Sequence, residues 1–271
     1  MKRATASLSV LVLAVTACVT SPTGRRQLML VSESQAIAAS REAYVAQISE
    51  LGRSGKLVTD PAVLRRIDEI TGRLIAQAIM MRPDTADWEW SVEVIDEPDT
   101  VNAWCMAGGR MAIYTGLIQK LDASDDEIAQ VMGHEIAHAL ANHTAERMSV
   151  AMATNLGVAA VGVLSERSET MSLAATAAAL AIQLPNSRSS ESEADRIGIE
   201  LAAKAGYDPN AAVTLWQKME QASGGGPPAF LSTHPSPGQR EQTLAALAPE
   251  MMQYYDPRGD HPTYPIRRGA R

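Results

Sequence analysis

Cysteine, aromatic side chains and excess positive charge are all scarce in this sequence. Among its 271 residues only Cys18 and Cys105 are cysteines, so a framework of disulfides cannot hold the fold. Aromatic residues make up 4% of the chain, with a single phenylalanine. The formal net charge is −7, which argues against nucleic acid as a partner. A hydrophobic core must therefore hold the fold, in a domain of the size that about 250 residues can form.

The apolar runs are all shorter than the length that spans a bilayer, about 20 residues. The first run, residues 8–15, follows two basic residues and precedes small ones, which is typical of a secretory signal peptide. Cys18 comes directly after the small residues, an arrangement that resembles a bacterial lipobox and implies cleavage before Cys18 and its lipidation. An ordinary signal peptide with an incidental cysteine is the alternative. We expect a signal peptide over residues 1–17 and a periplasmic protein that is lipid-anchored to a bacterial membrane, with Val19 favouring the outer membrane.

Composition divides the rest of the chain into a tether, one domain and a tail. Residues 18–31 are polar and contain proline and glycine, which suits the tether of a lipid-anchored domain. Residues 32–250 form a single domain without an internal repeat. Two alanine-rich runs within residues 150–184 predict a helical hairpin that packs on this domain or touches the membrane surface. Residues 251–271 are a tail that contains proline, glycine and arginine, and we expect it to be disordered.

Hydrophobic patterning predicts a mainly α-helical α+β fold. Residues 88–95 alternate as a strand does. Two further strand-like segments flank Gly108-Gly109, a pair that is typical of a hairpin or a sharp bend. Ser32 with Gln35 forms a capping box that begins a helix, Asp60-Pro61 begins a second helix, and Ser124 with Glu127 begins a third. We therefore expect a small antiparallel sheet beside this third helix.

The helix that begins after Ser124 carries the most informative motif of the chain, His134-Glu135-Ile136-Ala137-His138. Two histidines four residues apart lie on one helix face, so both imidazoles can reach a single metal ion. Glu135 is rotated off that face, where it can take a proton from a water on the metal. Two helix histidines that happen to have this spacing are the alternative interpretation.

A catalytic zinc usually takes three protein ligands and keeps one position for water. His143 lies five residues after His138 and points off the ligand face, so we interpret it as an exposed histidine or as one behind the ligands. Glu191 and Asp195 share a helix face, so one can bind the metal while the other accepts the N–H of a ligand histidine. Glu193 points elsewhere, and we expect it to be a solvated surface charge. An acidic helix start favoured by the dipole would explain the same cluster without a metal.

Four motifs in order, between about residues 95 and 245, resemble the gluzincin endopeptidases. This family includes the CAAX prenyl protease and the HtpX-type and Oma-type quality-control proteases. The resemblance is greatest to the periplasmic lipoprotein members without membrane spans, which tend outer-membrane assembly. The matching residues are Asn102-Ala103, Gly108-Gly109 and Thr115-Gly116-Leu117, then His134 to His138, then Glu191 to Asp195, and last Ser232-Thr233-His234-Pro235 with Arg240.

The resemblance implies one zinc ion per chain and assigns its ligands. It implies that His134, His138 and Glu191 bind the zinc. It also implies that Glu135 is the general base and that Asp195 lies behind the ligands as part of the catalytic machinery.

The resemblance further implies a role for two residues near the end of the domain. His234 would lie at the mouth of the active site, either as a gate over the open zinc position or as a donor to the transition state. Arg240 would lie close by. A loop histidine without a role is the alternative for His234.

Substrate recognition is expected along residues 110–114, as an exposed sheet edge beside the zinc. Gly109, Arg110, Met111 and Ala112 would bind an extended substrate through its main chain, which suits unfolded or misassembled polypeptides. We therefore expect a zinc endopeptidase that degrades misfolded or stalled proteins at the bacterial cell envelope, with outer-membrane assembly machinery as a further partner. Non-catalytic alternatives are a chaperone or scaffold lipoprotein, which does not need an intact base, and a structural zinc protein, which usually has a fourth local Cys or His.

Overall fold

A computed structural model describes residues 18–163, 187–222, 229–234, 237–266 and 268. The predicted signal peptide, residues 1–17, lies outside the described residues. In the part that is described, helices predominate and a small sheet accompanies them, which confirms the mainly α-helical α+β fold. None of the helices in these ranges combines the length and the apolar character needed to cross a membrane.

The elements follow one another in an order that places the sheet before the HExxH helix. Two short strands, β1 (Cys18–Thr20) and β2 (Arg26–Leu28), precede the long helices α1 (Glu33–Arg53) and α2 (Pro61–Met81). Next come β3 (Ser91–Ile95), β4 (Ala103–Met106) and β5 (Arg110–Tyr114). The remaining helices are α3 (Thr115–Gln119), α4 (Asp125–Leu140), α5 (His143–Val163), α6 (Arg188–Lys204), α7 (Ala211–Gln221), α8 (Ala229–Thr233) and α9 (Pro237–Met251).

The predicted helix starts are confirmed because each depends on a local hydrogen bond. The Ser124 side chain accepts a hydrogen bond from the Glu127 backbone, and the Glu127 carboxylate accepts one from the Ser124 N–H at 2.9 Å. Ser32 begins α1 with the same reciprocal pair. Asp60 caps α2 at the Ala62 N–H, at 2.8 Å. Such caps satisfy backbone donors that the first helical turn leaves without partners.

The three-stranded sheet has the order β3-β5-β4, and its pairing is mixed. β4 and β5 form the predicted antiparallel hairpin, whereas β3 runs parallel to β5. The prediction that residues 110–114 form an exposed edge is therefore wrong. Met111, Ala112 and Ile113 are fully buried, and an apolar run buried on both faces suits a central strand. The edge strand nearest α4 is β4.

Helix α4 lies at the centre of the hydrophobic core. Every residue from Glu127 to Leu140 is buried, and the helix packs against α6, α2, β4 and α7. The closest approach is to α6, where Gly133 meets Gly198. A Cβ atom at Gly133 would lie 2.8 Å from the Gly198 carbonyl oxygen, so only glycine permits this crossing. The crossing brings the first turns of α6 beside the HExxH motif.

Residues 18–28, which we call the N-terminal arm, form a β-hairpin within the segment 18–31 that was predicted to be a tether. β1 and β2 pair antiparallel, from Cys18 with Leu28 to Thr20 with Arg26. The Gln27 side chain is buried and donates to the Ala141 carbonyl at 2.7 Å. The polar side chains of the arm donate hydrogen bonds to buried acceptors on the domain. Without these donors the buried acceptors would destabilise the fold, so the arm is held in place.

The tail that was expected to be disordered packs against α2. The Tyr264 N–H donates to the Gly72 carbonyl at 2.9 Å, and a Cβ at Gly72 would collide with the Tyr264 oxygen. Arg268 forms an ion pair with Asp68 and donates to the Val92 carbonyl at 3.1 Å. Composition alone misses this packing because the partners lie about 200 residues earlier in the chain.

The first part of the hairpin predicted over residues 150–184 belongs to α5, which begins at His143. Its buried Ala145 and Met148 pack with Val31, Ala36 and Ala107 in a second, smaller cluster. The rest of the predicted hairpin, residues 164–184, lies outside the described residues.

Candidate metal centre

Four side chains from three segments converge on one point inside the domain. His134 and His138 come from α4, Glu191 comes from the first turn of α6, and His234 follows α8. All four are buried, and one donor atom from each lies within 4.8 Å of the others. This cluster joins the three predicted zinc ligands to the histidine that was predicted at the mouth of the site.

The distances between these donor atoms fit a tetrahedral zinc ion. His134 Nε2 lies 3.0 Å from His138 Nε2 and 3.4 Å from Glu191 Oε2, and His138 Nε2 lies 3.4 Å from Glu191 Oε1. His234 Nδ1 lies 3.2 Å from His134 Nε2 and 3.0 Å from Glu191 Oε1. Zinc–ligand bonds of about 2.0–2.1 Å place tetrahedral donors about 3.3 Å apart. The donor set therefore fits one zinc ion, with His234 in the fourth position.

Asp195 and Arg240 lie directly behind the donor atoms. Asp195 Oδ1 is 3.0 Å from His134 Nδ1, so it can accept that N–H and leave Nε2 free for the metal. Arg240 donates to both carboxylates, to Asp195 from Nε at 2.9 Å and to Glu191 from Nη1 at 2.7 Å. The guanidinium lies over the Trp216 ring at 4.1 Å. One arginine thus fixes the carboxylate that can ligate and the carboxylate that orients His134.

The electrostatics of the cluster keep its carboxylates charged in the absence of metal. Burial raises the pKa of Glu191, but hydrogen bonds from His134, His138 and His234 outweigh burial and hold it far below the usual range. For His134, burial and Arg240 lower the pKa, yet Asp195 and Glu191 outweigh them and raise it to about 9. The charged carboxylates of this buried cluster therefore favour the binding of a cation.

Glu135 faces a cleft of about 260 Å³ on the side of the cluster away from Arg240. Its Oε1 atom is buried and accepts no hydrogen bond from any residue that the structure describes. His234 Nε2 lies 3.3 Å from this oxygen. A buried carboxylate oxygen without a donor is costly unless a ligand supplies one, so this oxygen can accept a hydrogen bond from a group bound in the cleft.

The cleft is bordered mainly by β4; of the strand that was predicted to bind substrate, only Tyr114 lines it. Asn102 to Met106 line one wall of the cleft, and Glu135, His138 and His234 lie on the other side. Gly109 donates its N–H to the Met106 carbonyl and accepts from the Ser91 N–H. Residues 110–112 pair with β3 and β4 on both sides. Pairing within the sheet thus already occupies the main chain of the predicted substrate-binding residues, which are Gly109, Arg110, Met111 and Ala112.

The only phenylalanine of the sequence fixes His234. The Phe230 ring stacks on the His234 imidazole with a centroid distance of 4.3 Å and an interplanar angle of 15°. The His234 N–H also donates to the Phe230 carbonyl at 3.0 Å. Phe230 itself is held by its N–H, which donates to the Val101 carbonyl just before β4.

His143 and Glu193, neither of which was predicted to bind the metal, belong to the same network. His143 is 1% exposed, and its Nδ1 lies 2.7 Å from His138 Nδ1. Glu193 is 5% exposed, so the expectation of a solvated surface charge is wrong. Burial raises its pKa, but hydrogen bonds from His143, Ser21, Thr23 and Arg25 outweigh burial and hold it well below the usual range. The sequence signal was only that an isolated glutamate stands between Glu191 and Asp195.

Two buried histidines of an HExxH helix and a glutamate from a second helix, beside a cleft that Glu135 lines, are typical of a zinc metallopeptidase domain of the gluzincin type. Residues 61–248 match peptidase family M48. The chain therefore belongs to peptidase family M48, which confirms the resemblance seen in its motifs.

Curated relatives of this chain carry two kinds of name. Mitochondrial metalloendopeptidase OMA1 of Arabidopsis thaliana is 41% identical over 156 residues, which are 58% of this chain and 31% of that protein. The OMA1 of Schizosaccharomyces pombe is 33% identical over 78% of this chain and 60% of its own length. The beta-barrel assembly-enhancing protease of Yersinia pestis is 29% identical over 71% of this chain and 40% of its own length. The chain thus spans less than two thirds of each of these relatives.

Proposed function

We propose that this protein is a zinc-dependent endopeptidase that degrades misfolded or stalled polypeptides at the bacterial cell envelope. One observation carries the proposal: the buried Oε1 of Glu135 accepts no hydrogen bond from the residues that the structure describes, and it lies beside a tetrahedral donor set. A scaffold would gain nothing from such a carboxylate, which reduces stability unless it meets a proton.

His134, His138 and Glu191 hold the zinc in this proposal. When bound, zinc lowers the pKa of a water to about 7 and polarises the scissile carbonyl. Glu135 accepts the proton of the attacking water and donates it to the leaving amine. Asp195 accepts the N–H of His134 and so keeps it directed away from the metal. Arg240 donates to Glu191 and to Asp195 and so fixes the positions of both carboxylates.

His234 acts as a gate. Its Nδ1 lies among the donor atoms at the position that a catalytic zinc keeps for water. The protein described here is therefore the closed form, in which His234 completes the site. Opening requires His234 to separate from the cluster and break its stacking on Phe230.

The substrate binds as an additional strand along β4. β4 pairs with β5 on one side only, among the strands that the structure describes, and residues 102–106 line the cleft. An edge strand binds through main-chain hydrogen bonds and therefore accepts many sequences. Unfolded or misassembled polypeptides present such extended segments, whereas folded proteins do not.

The envelope location rests on the sequence pattern before Cys18 and on one group of relatives. A basic start, a short apolar run and a cysteine after small residues suit a lipid anchor on Cys18. The name of the Yersinia pestis relative points to β-barrel assembly, although other relatives are named as mitochondrial. Expression in a Gram-negative host tests the anchor: Cys18→Ala should move the protein from the membrane fraction to the soluble one, and unchanged membrane association would contradict it.

The base is tested by comparing wild-type protein with Glu135→Gln on an unfolded polypeptide, with and without a chelator. Wild-type protein should cleave and should lose activity to the chelator. Glu135→Gln should retain one zinc per chain and lose at least about 100-fold in rate, because it lacks the proton acceptor. Glu200→Gln, a surface carboxylate on α6 that pairs with Lys204, is the control and should cleave normally. Full activity of Glu135→Gln would remove it as the base.

The ligands are tested by the zinc content of purified variants. Glu191→Ala should lose the metal, because the substitution removes one of the three protein donors that a catalytic zinc usually needs. A zinc content equal to that of wild-type protein would remove Glu191 from the site. Binding of unfolded polypeptide without any cleavage by zinc-loaded wild-type protein would instead support the chaperone alternative.

A further inference from the structure

A line of three buried side chains runs away from the metal centre on the His138 side. His138 Nδ1 lies 2.7 Å from His143 Nδ1, and His143 Nε2 lies 3.1 Å from Glu193 Oε2. The three residues are 1–5% exposed. His134 is oriented from behind by Asp195, whereas His138 meets another histidine.

Only one arrangement of protons satisfies this line when His138 Nε2 faces a metal. His138 must then carry its proton on Nδ1, and His143 Nδ1 must be the acceptor. A neutral His143 consequently carries its own proton on Nε2, where it donates to the carboxylate of Glu193. Glu193 therefore selects the tautomer of His143 that can accept from His138.

Glu193 is in turn held by the N-terminal arm. Arg25 Nε donates to Glu193 Oε2 at 2.7 Å, Thr23 donates to Oε1 at 2.5 Å, and Ser21 donates to the same oxygen. The two terminal nitrogens of the Arg25 guanidinium donate to the Glu146 carboxylate on α5, at 2.7 and 2.6 Å. This bidentate pair holds the guanidinium in place beside the carboxylate of Glu193.

We propose that His143, Glu193 and Arg25 are positioning residues for the zinc ligand His138, and that the N-terminal arm is a structural part of the metal centre. This inference depends on the proposed role of His138 as a ligand, and it adds a support that reaches from the metal to the segment directly after Cys18. The arm therefore contributes to metal affinity in addition to joining the domain to its anchor.

Zinc affinity, measured by competition with a chelator of known affinity, tests the support in the full chain. Glu193→Gln and Arg25→Ala should weaken zinc binding by about 10- to 100-fold, as loss of a group behind a ligand does. The visible spectrum of the Co²⁺-substituted protein should shift in both variants because the orientation of His138 changes. A role in folding alone would leave both measurements unchanged for the molecules that are folded.

Matched controls separate positioning from general stability. Glu127 is a buried carboxylate on α4 that accepts from Lys218 and Thr214, and it precedes His134 by seven residues. Glu127→Gln should cost comparable stability and leave zinc affinity unchanged. Arg82 bonds Glu33 and Asp84 and has the same 19% side-chain exposure as Arg25, so Arg82→Ala is the control for Arg25→Ala.

A pair of substitutions at His143 provides a rescue. His143→Gln retains an acceptor for His138 and a donor for Glu193, whereas His143→Leu retains only volume. Zinc affinity should fall in His143→Leu and remain closer to wild type in His143→Gln, and this pair decides the question if Glu193→Gln does not fold. Equal zinc affinity in wild type, Glu193→Gln, Arg25→Ala and His143→Leu would overturn the inference.

The result is distinguishable from failure of the proposed function. If His138→Ala binds zinc as wild type does, His138 is not a ligand and both proposals fail. If His138→Ala loses zinc while Glu193→Gln, Arg25→Ala and His143→Leu bind it normally, only the inference about the arm fails.

Discussion

Gly133 and Gly198 face each other where α4 crosses α6, and neither position has room for a side chain. A Cβ at Gly198 would lie 2.7 Å from both the N and Cα atoms of His134. This backbone contact sets the separation of the helix that carries the two histidines from the helix that carries Glu191. The geometry of the metal centre therefore depends on two residues that donate nothing to it.

Substitution at this crossing should separate the ligands. Gly198→Ala forces the helix backbones apart, since the atoms it meets belong to the main chain and cannot rotate away. We expect a loss of about 1–3 kcal/mol in the free energy of unfolding and at least a tenfold weaker zinc affinity. Gly52→Ala on α1, where the nearest atom is Leu57 Cδ1 at 3.7 Å, is the control and should change neither. Normal zinc binding by Gly198→Ala would show that the crossing does not position Glu191.

Removal of His234 should activate the enzyme. His234→Ala frees the fourth position among the donor atoms, so peptide cleavage should rise by on the order of tenfold, which corresponds to about 1.4 kcal/mol that favours the closed form. Initial rates on an unfolded polypeptide measure this, with His261→Ala as a control at a histidine in the tail. A fall in rate would assign His234 to the transition state instead, and an unchanged rate would reject both roles.

Loss of Arg240 should destabilise the metal-free protein more than the zinc-bound protein. Arg240→Ala leaves the buried carboxylates of Glu191 and Asp195 without their common cation, and breaking a buried pair costs about 3–5 kcal/mol. Zinc should restore part of the loss because it neutralises Glu191. Denaturant unfolding with chelator and with zinc measures both values. The same loss in the two conditions would place Arg240 outside the electrostatics of the site.

Tyr44 should give the protein an alkaline limit of stability. Burial raises the pKa of Tyr44 to about 12 from its ordinary value of 10.0, and the side chain packs edge-on against Trp104. Between these pH values the native state keeps the phenol proton while the unfolded chain loses it. The contribution of Tyr44 is therefore fully present below pH 10 and is lost as the pH rises through about 12, by about 3 kcal/mol in total.

Unfolding free energies from pH 9 to 12 test this prediction. The stability difference between wild type and Tyr44→Phe should change by about 2 kcal/mol between pH 9 and pH 12, because phenylalanine has no proton to lose. A difference between wild type and Tyr44→Phe that stays constant across this range would contradict the prediction.

The elements that could be predicted from sequence depend on neighbours along the chain. The capping boxes at Ser32 and Ser124 close over three residues, and the spacing of His134 and His138 follows from one helical turn. Glu191 was found because it shares a helix face with Asp195. Each of these relations spans three or four residues of one helix. A short window of sequence is therefore enough to recognise it.

The errors all concern pairing between distant segments. Residues 110–114 could be read as a strand, but their central place depends on β3 and β4 lying on either side. Glu193 was read as solvated because its partners, Ser21, Thr23 and Arg25, come about 170 residues earlier. The tail was predicted to be disordered because its contacts on α2 lie about 200 residues earlier in the chain.

The donor types for zinc, the proposed base Glu135 and the helices that present these residues all follow from residue identity and local pattern. The support of these groups depends on tertiary packing. That packing placed β4 at the cleft, put His234 in the fourth donor position and joined His138 through His143 and Glu193 to the N-terminal arm. The physical reason is that local hydrogen bonds and helical period are short-range, whereas burial and strand order arise only when segments far apart in the chain pack together.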